Sequence, residues 1–129
     1  MDVITTEALQ LRIRSRIMEH LQLISSADLQ LAYQRSAPHV QVANELFNGW
    51  EDWVPDQSAV ARLTLPIFSR TEQAAVLEFL QVINAIEART PRDLPDIKTF
   101  IQTREWADLS AAAFQALTIF QLRGATDDT

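Results

Sequence analysis

The chain of 129 residues contains no cysteine, only two glycines and only two histidines. The absence of cysteine excludes disulfides, thiolate metal sites and thiol catalysis. With so few glycines there is no glycine-rich loop of the kind that cradles phosphate. His20 and His39 also have no Asp, Glu or His partner at the spacing of a known metal motif. The sequence therefore predicts neither a metal ion nor a cofactor.

Long apolar segments are missing as well. No stretch approaches the roughly 18 uncharged apolar residues that a membrane-spanning helix needs. The N-terminus carries an acid at Asp2 and scatters Arg12, Arg14 and Arg16 among its apolar residues, which is not the pattern of a signal peptide. These patterns predict a cytoplasmic protein that does not insert into membranes. Arg12 and Arg16 share one face of a helix while Arg14 lies on another, so they form no single basic stripe, and a solvated helix face is the interpretation that the spacing favours.

Basic residues are in the minority, with 11 Lys and Arg against 17 Asp and Glu and a net charge of −6. Phosphate backbones repel such a protein, so an independent nucleic-acid binder is not expected. The acidic balance is explained by ordinary solubility, and it also suits docking onto a basic protein surface. Both explanations stay open at this point.

What the sequence does contain is helical periodicity. The stripe of Leu9, Ile13, Ile17, Leu21 and Ile24 predicts an amphipathic helix near 5–24. The strongest helix start is Ser69-Arg70-Thr71-Glu72, a capping box, and the apolar run behind it predicts a central helix over about 70–89. We therefore expect an all-α single domain, residues 1–129, with five to six helices around 70–89. The core is predicted to include Leu21, Leu46, Trp50, Val76, Phe79, Leu80, Ile83, Ile97, Ile101, Leu117 and Phe120.

The sequence also predicts two helix ends and one non-helical segment. Asn48-Gly49 predicts the C-terminal stop of a third helix. In residues 54–68 apolar and polar positions alternate, which predicts a largely extended segment, while Pro66 disfavours a paired strand. The last helix is predicted to stop at Gly124, leaving 125–129 as a frayed tail.

Carboxylate pairs are the one sign of catalysis. Glu45 with Asp52, or Glu72 with Glu87, would support general acid–base chemistry if a pair converged in space. No catalytic residue is predicted, because 17 acids on a small surface produce chance neighbours. The carboxylate-based enzyme is kept as an alternative, and the chain is expected not to be an enzyme.

The segment 47–55, FNGWEDWVP, is the most distinctive. Trp50 and Trp53 project from the same side of a helical turn, while Glu51 and Asp52 point away. Burial in the core is favoured for Trp50, and Trp53 is divided between core and surface. Tryptophan beside acids is also typical of an interface anchor with a polar rim. The predicted partner-binding residues are Glu45, Trp50, Glu51, Asp52 and Trp53.

These observations predict a non-catalytic protein-interaction module, an adaptor or assembly factor that binds a peptide or protein partner. The alternative is a cognate inhibitor of the immunity type, which would neutralise a basic toxin or enzyme through an acidic face. Homodimerisation through the same apolar surface stays open. Immunity proteins, assembly factors and adaptors share this type of small acidic helical domain, but likeness of type assigns no residue a role.

Overall fold

The computed structural model describes residues 6–123, and within that range the chain forms seven helices and no strand. The all-α prediction is confirmed. Two of the seven helices are single turns of five and four residues. The predicted stop at Gly124 and the tail 125–129 lie outside the described residues. The helices are α1 Thr6–Ile24, α2 Ala27–Ser36, α3 Val42–Trp53, α4 Gln57–Ala61, α5 Arg70–Arg89, α6 Ile97–Phe100 and α7 Arg104–Gln121.

Helix α5 begins where the capping box predicts. The Glu72 N–H donates to Ser69 Oγ at 3.1 Å, and the Ser69 N–H donates to Glu72 Oε1 at 3.0 Å. Helix α7 packs against both α5 and α1, and α3 packs against α1. Every predicted core residue is buried except Ile101, which is half-buried and packs against the core. None of the helices within 6–123 combines the length and the apolar character that crossing a membrane would require.

The prediction that segment 54–68 is largely extended is wrong for residues 57–61, which form a helix. Asp56 Oδ1 accepts a hydrogen bond from the Ala59 N–H at 3.0 Å, which caps α4 over Gln57–Ala61. The apolar alternation that suggested a strand arises from turns that bury Leu63 and Ile67 and expose Leu65. Local capping therefore outweighed the alternating pattern.

The predicted helix stop at Asn48-Gly49 is also wrong, because α3 continues through both residues to Trp53. The main-chain N–H of Val54 closes the helix on the Trp50 carbonyl at 2.9 Å. Gly49 thus lies inside a helix, where glycine is unfavourable by about 1 kcal/mol relative to alanine. A tertiary contact described below explains why it is there.

Arg14 is buried, at 3% exposure, and does not belong to a solvated face. Its Nη2 lies 2.8 Å from Glu72 Oε2, and Arg123 Nη2 lies 2.6 Å from Glu72 Oε1. Arg123 also donates to the Ile67 carbonyl, and the Arg14 guanidinium lies 5.2 Å from the centre of the Phe120 ring. This ion cluster of Arg14, Glu72 and Arg123 fastens α1 and the chain after α7 to the first turn of α5.

Glu72 is ionised in this cluster although its side chain is only 1% exposed. Burial by itself raises the pKa of Glu72, but hydrogen bonds from Arg123, Arg14 and the Ser69 main chain outweigh burial and hold the pKa below its ordinary value of 4.5. The same ion pair raises the pKa of Arg123. Glu72 and Glu87 do not converge, since they lie fifteen positions apart on α5, about 22 Å at 1.5 Å per residue.

Candidate protein-binding site

Helix α3 carries all five residues predicted to bind a partner, and the structure divides them. Successive residues of a helix are turned by about 100°, so positions 45, 51 and 52 point away from the stripe formed by Val42, Leu46 and Trp50. Glu51 and Asp52 are exposed and Glu45 is half-buried. The three carboxylates therefore lie on the outer surface of α3. The two indoles, Trp50 and Trp53, differ in how far they are exposed.

Trp50 belongs to the core, with only 2% of its surface exposed. Its ring packs edge-on against Phe79 of α5, with ring centres 4.6 Å apart and planes at 77°. A partner cannot reach this indole without opening the α3–α5 contact. The assignment of Trp50 as a contact residue is corrected accordingly, and its role is to hold α3 against α5.

Trp53 is half-buried and packs against the same core, so one part of its ring faces the core and another faces solvent. The last turn of α3 places it directly after the exposed Glu51 and Asp52. An indole that is already partly fixed loses little conformational freedom on binding a partner, and its amphipathic ring suits an interface. Trp53 is therefore the aromatic residue of α3 that remains available.

Glu45 and Asp52 are seven residues apart, nearly two full turns, and so lie on the same side of α3. Both raise the pKa of His20 on α1 through their negative charge. The larger effect on this pKa is burial, which lowers it below 6.5, while a hydrogen bond to the Leu46 carbonyl and the two acids act in the opposite direction. The imidazole is thus neutral at pH 7 and lies close to two carboxylates.

His20 Nε2 lies 3.1 Å from the Leu46 carbonyl oxygen. Because a carbonyl only accepts, Nε2 carries the proton in the neutral ring and Nδ1 keeps its lone pair. Sequence reasoning missed this residue, since 26 positions separate His20 from Leu46 and no local pattern links them. Within residues 6–123, no three His, Asp or Glu side chains are grouped so that they could hold a metal ion.

Gly49 makes this contact between α1 and α3 possible. A Cβ added at position 49 would overlap His20 Cε1, and it would lie 3.0 Å from Nε2 and 3.1 Å from Nδ1. The absence of a side chain at Gly49 therefore provides the space in which the imidazole packs against α3. The Gly in the middle of α3 has a packing reason and is not a helix stop.

Glu51 lies on the other side of α3, at a cleft that we call the α3–α5 cleft. One part is a cavity of about 20 Å³, and the adjoining part is an open depression of about 390 Å³. Phe47 and Glu87 line both parts, so the two parts lie side by side. The polar side chains that line the cleft are Asn44, Asn48, Glu51, Asn84, Glu87, Thr90 and Arg92.

The deep end of this cleft is lined by Trp50, whose Nε1–H is buried and has no acceptor among the described residues. An unpaired buried donor costs about 1–3 kcal/mol. A volume of about 20 Å³ accommodates one water molecule, which needs about 10–15 Å³. The part of the cleft that a partner can reach is lined by the carboxylates of Glu51 and Glu87.

All the charged side chains of α3 are negative. Residues 36–61 contain four acids, Glu45, Glu51, Asp52 and Asp56, and no Lys or Arg. None of the first three forms an ion pair with a residue in the described range. Such carboxylates are free to attract a cationic group from outside the chain. What the arrangement can do chemically is bind: it presents negative charge, hydrogen-bonding amides and one accessible aromatic ring.

Comparisons with known proteins do not assign this chain to a family. The sequence matches no family model, no curated protein and no solved structure.

Proposed function

We propose that this chain is a non-catalytic protein-binding module, an adaptor or assembly factor, that receives a basic peptide segment of its partner on the outer surface of α3 and in the α3–α5 cleft. The observation that supports this most directly is that Glu45, Glu51 and Asp52 form no ion pair with any residue in 6–123 and lie on a helix without a single Lys or Arg. Trp53, half-buried in the last turn of the same helix, supplies apolar contact area. We place this activity in the cytoplasm.

An extended peptide suits the α3–α5 cleft because its walls offer both kinds of contact that a peptide needs. The amides of Asn44, Asn48 and Asn84 can donate to and accept from a peptide backbone. Glu51 and Glu87 can pair with Lys or Arg side chains of the peptide. Arg92 at the rim is the cation that lines the open part, and it favours peptides whose basic residues lie toward the Glu51 end.

The alternative, a cognate inhibitor of a basic toxin or enzyme, is supported by the same unpaired carboxylates. Electrostatic attraction of this kind accelerates association more than it strengthens the final complex. The two forms differ in their response to salt. An inhibitor that binds through the exposed carboxylates would associate much more slowly as ionic strength rises, while a peptide whose basic side chains are enclosed in the α3–α5 cleft would respond less, because enclosed charges are screened less.

The test is affinity capture from the native organism with four baits: the wild type, Trp53→Ala, the double variant Glu51→Lys/Asp52→Lys, and the control Glu7→Lys. Glu7 is exposed and lies about 20 Å along α1 from His20, thirteen residues at 1.5 Å each. Circular dichroism verifies that each bait is folded. We expect a partner with the wild type and the control, and its loss or marked reduction with the two α3 baits.

Binding of the recovered partner is then measured by calorimetry and stopped-flow mixing across a range of salt concentrations. A mild dependence supports the adaptor, and a steep fall in association rate supports the inhibitor. If the folded Trp53→Ala and Glu51→Lys/Asp52→Lys variants bind as tightly as the wild type, the site is wrong. If a substrate is turned over and the turnover disappears in Glu45→Gln or Asp52→Asn, the non-catalytic proposal is wrong.

A further inference from the structure

His20 lies beneath the acidic side of α3. Glu45, Gly49 and Asp52 are spaced by four and three residues, so they share one side of that helix. The imidazole packs against this side at Gly49, where an added Cβ would overlap its Cε1. Its Nε2 donates to the Leu46 carbonyl oxygen at 3.1 Å. The ring is therefore held at the middle of a helix side whose two ends carry carboxylates.

The charges that act on this ring come from α3. Glu45 and Asp52 both raise the pKa of His20 through their negative charge. Arg16 stands one turn earlier on the same side of α1, and it is paired with Glu19 at 3.2 Å. The charged residues of the other two helices that pack against α1 are not among the groups whose charge acts on the ring. They are Asp28 and Arg35 of α2 and Arg104, Glu105 and Asp108 of α7.

We propose that protonation of His20 weakens the binding of a basic partner to the outer surface of α3, so that the chain releases its partner as the solution becomes acidic. The inference rests on the proposed function, because it concerns the same carboxylates. In the neutral ring Nε2 carries the proton and Nδ1 keeps a lone pair. Protonation adds a second N–H at Nδ1 and a full positive charge. This charge lies behind the acids that attract the Lys or Arg side chain of a partner.

The effect of protonation on binding equals the effect of binding on protonation. Two ligands of one protein change each other's affinity by the same factor, and here the two ligands are a proton and a cationic side chain. A cation held at Glu45 and Asp52 offsets the negative charges that favour the protonated ring. Binding of the cation therefore lowers the pKa of His20.

Burial determines the pH range in which this coupling operates. It lowers the pKa of His20 below 6.5, and it outweighs the Leu46 carbonyl and the two acids, which raise that pKa. The ring is therefore neutral at pH 7 and becomes protonated in more acidic solution. Asp and Glu side chains with ordinary pKa values near 4 stay mostly ionised down to about pH 5. Between about pH 7 and about pH 5 the charge that changes on this side of α3 is thus that of His20.

The test is calorimetry with a cationic probe, an amidated tetralysine peptide, at about pH 7.5 and at about pH 5. The proteins are the wild type, His20→Gln and the control His39→Gln. Glutamine can donate from Nε2 to the Leu46 carbonyl as the imidazole does, but it does not titrate. His39 is exposed in the turn before α3. Circular dichroism verifies that each protein is folded at both pH values.

We expect the wild type and His39→Gln to bind the probe about two- to fivefold more weakly at the lower pH, which is the effect of one added charge several ångströms from the probe. His20→Gln should bind it equally at both. Titration of the wild type by NMR provides a second measurement that needs no variant. The pKa of His20 should be lower with saturating probe than without it, and the amide signals of α3 should move when the probe binds.

An equal loss of affinity in the wild type and His20→Gln overturns the inference. A His20 pKa that the bound probe leaves unchanged overturns it as well. In both cases the probe still binds to α3, so the proposed function stands. A probe that fails to bind at about pH 7.5, or that binds without moving the α3 signals, contradicts the proposed function itself and this inference with it.

Discussion

Replacing Glu72 by Gln should destabilise the protein more than any other conservative change to an acid. Glutamine keeps the shape of the side chain and can still complete the capping box, so the change removes the negative charge and little else. Arg14, at 3% exposure, would keep its charge in the core without a counterion. Removing one partner of a buried ion pair costs about 3–5 kcal/mol. Arg123 is half-exposed and returns to solvent at small cost.

This loss is large against a total stability of about 5–15 kcal/mol for a domain. It should lower the melting temperature by roughly 10–20 °C. The assay is urea unfolding followed by tryptophan fluorescence, with Glu78→Gln as the control. Glu78 is exposed on the same helix and forms no ion pair with a described residue, so its substitution should change the free energy of unfolding by less than about 0.5 kcal/mol.

The pH dependence identifies the charge as the cause. The folded-state pKa of Glu72 is lowered, so its stabilising contribution is fully present above the unfolded pKa of about 4.5 and is lost as pH falls through the folded value. The stabilities of wild type and Glu72→Gln should therefore differ most above pH 4.5 and converge in acid. A folded Glu72→Gln variant that loses less than about 1 kcal/mol, or a difference that does not change with pH, would refute the reasoning.

Two further predictions concern the contact between α1 and α3. Gly49→Ala should lower the free energy of unfolding by up to about 2 kcal/mol, because overpacking against His20 costs about 1–3 kcal/mol and the helix gains about 1. In a His20→Ala background the same change should stabilise, and urea unfolding of the four proteins checks this; a loss of equal size in both backgrounds would contradict the contact. By NMR titration the imidazole of His20 should show a pKa below 6.5, and one lower still in Asp52→Asn, since Asp52 raises it. The contribution of His20 to stability is present in full above pH 6.5 and falls as pH decreases below that value. A His20 pKa that rises in Asp52→Asn would contradict the electrostatic effect of Asp52.

The sequence by itself determined the helices whose signals are local. The capping box at Ser69 and Glu72 and the apolar run behind it fixed the start of α5, because both act between residues a few positions apart. The stripe through Ile17, Leu21 and Ile24 likewise determined the buried side of α1. Burial of Trp50 could be anticipated in the same way, because Trp50 lies on the apolar stripe of α3. The single-domain expectation and the predicted function remain predictions.

Only the tertiary structure decided which polar side chains are enclosed and which are free. Arg14 looks like its neighbours Arg12 and Arg16 in sequence, yet it is buried because Glu72, 58 positions away, supplies its counterion. Gly49 looks like a helix stop, and its purpose became visible only when His20 was found against it. These contacts join residues that are distant along the chain, and no local propensity or spacing encodes such a pairing. The acids of α3 that form no ion pair within residues 6–123 are the same kind of result, since exposure depends on how whole helices pack.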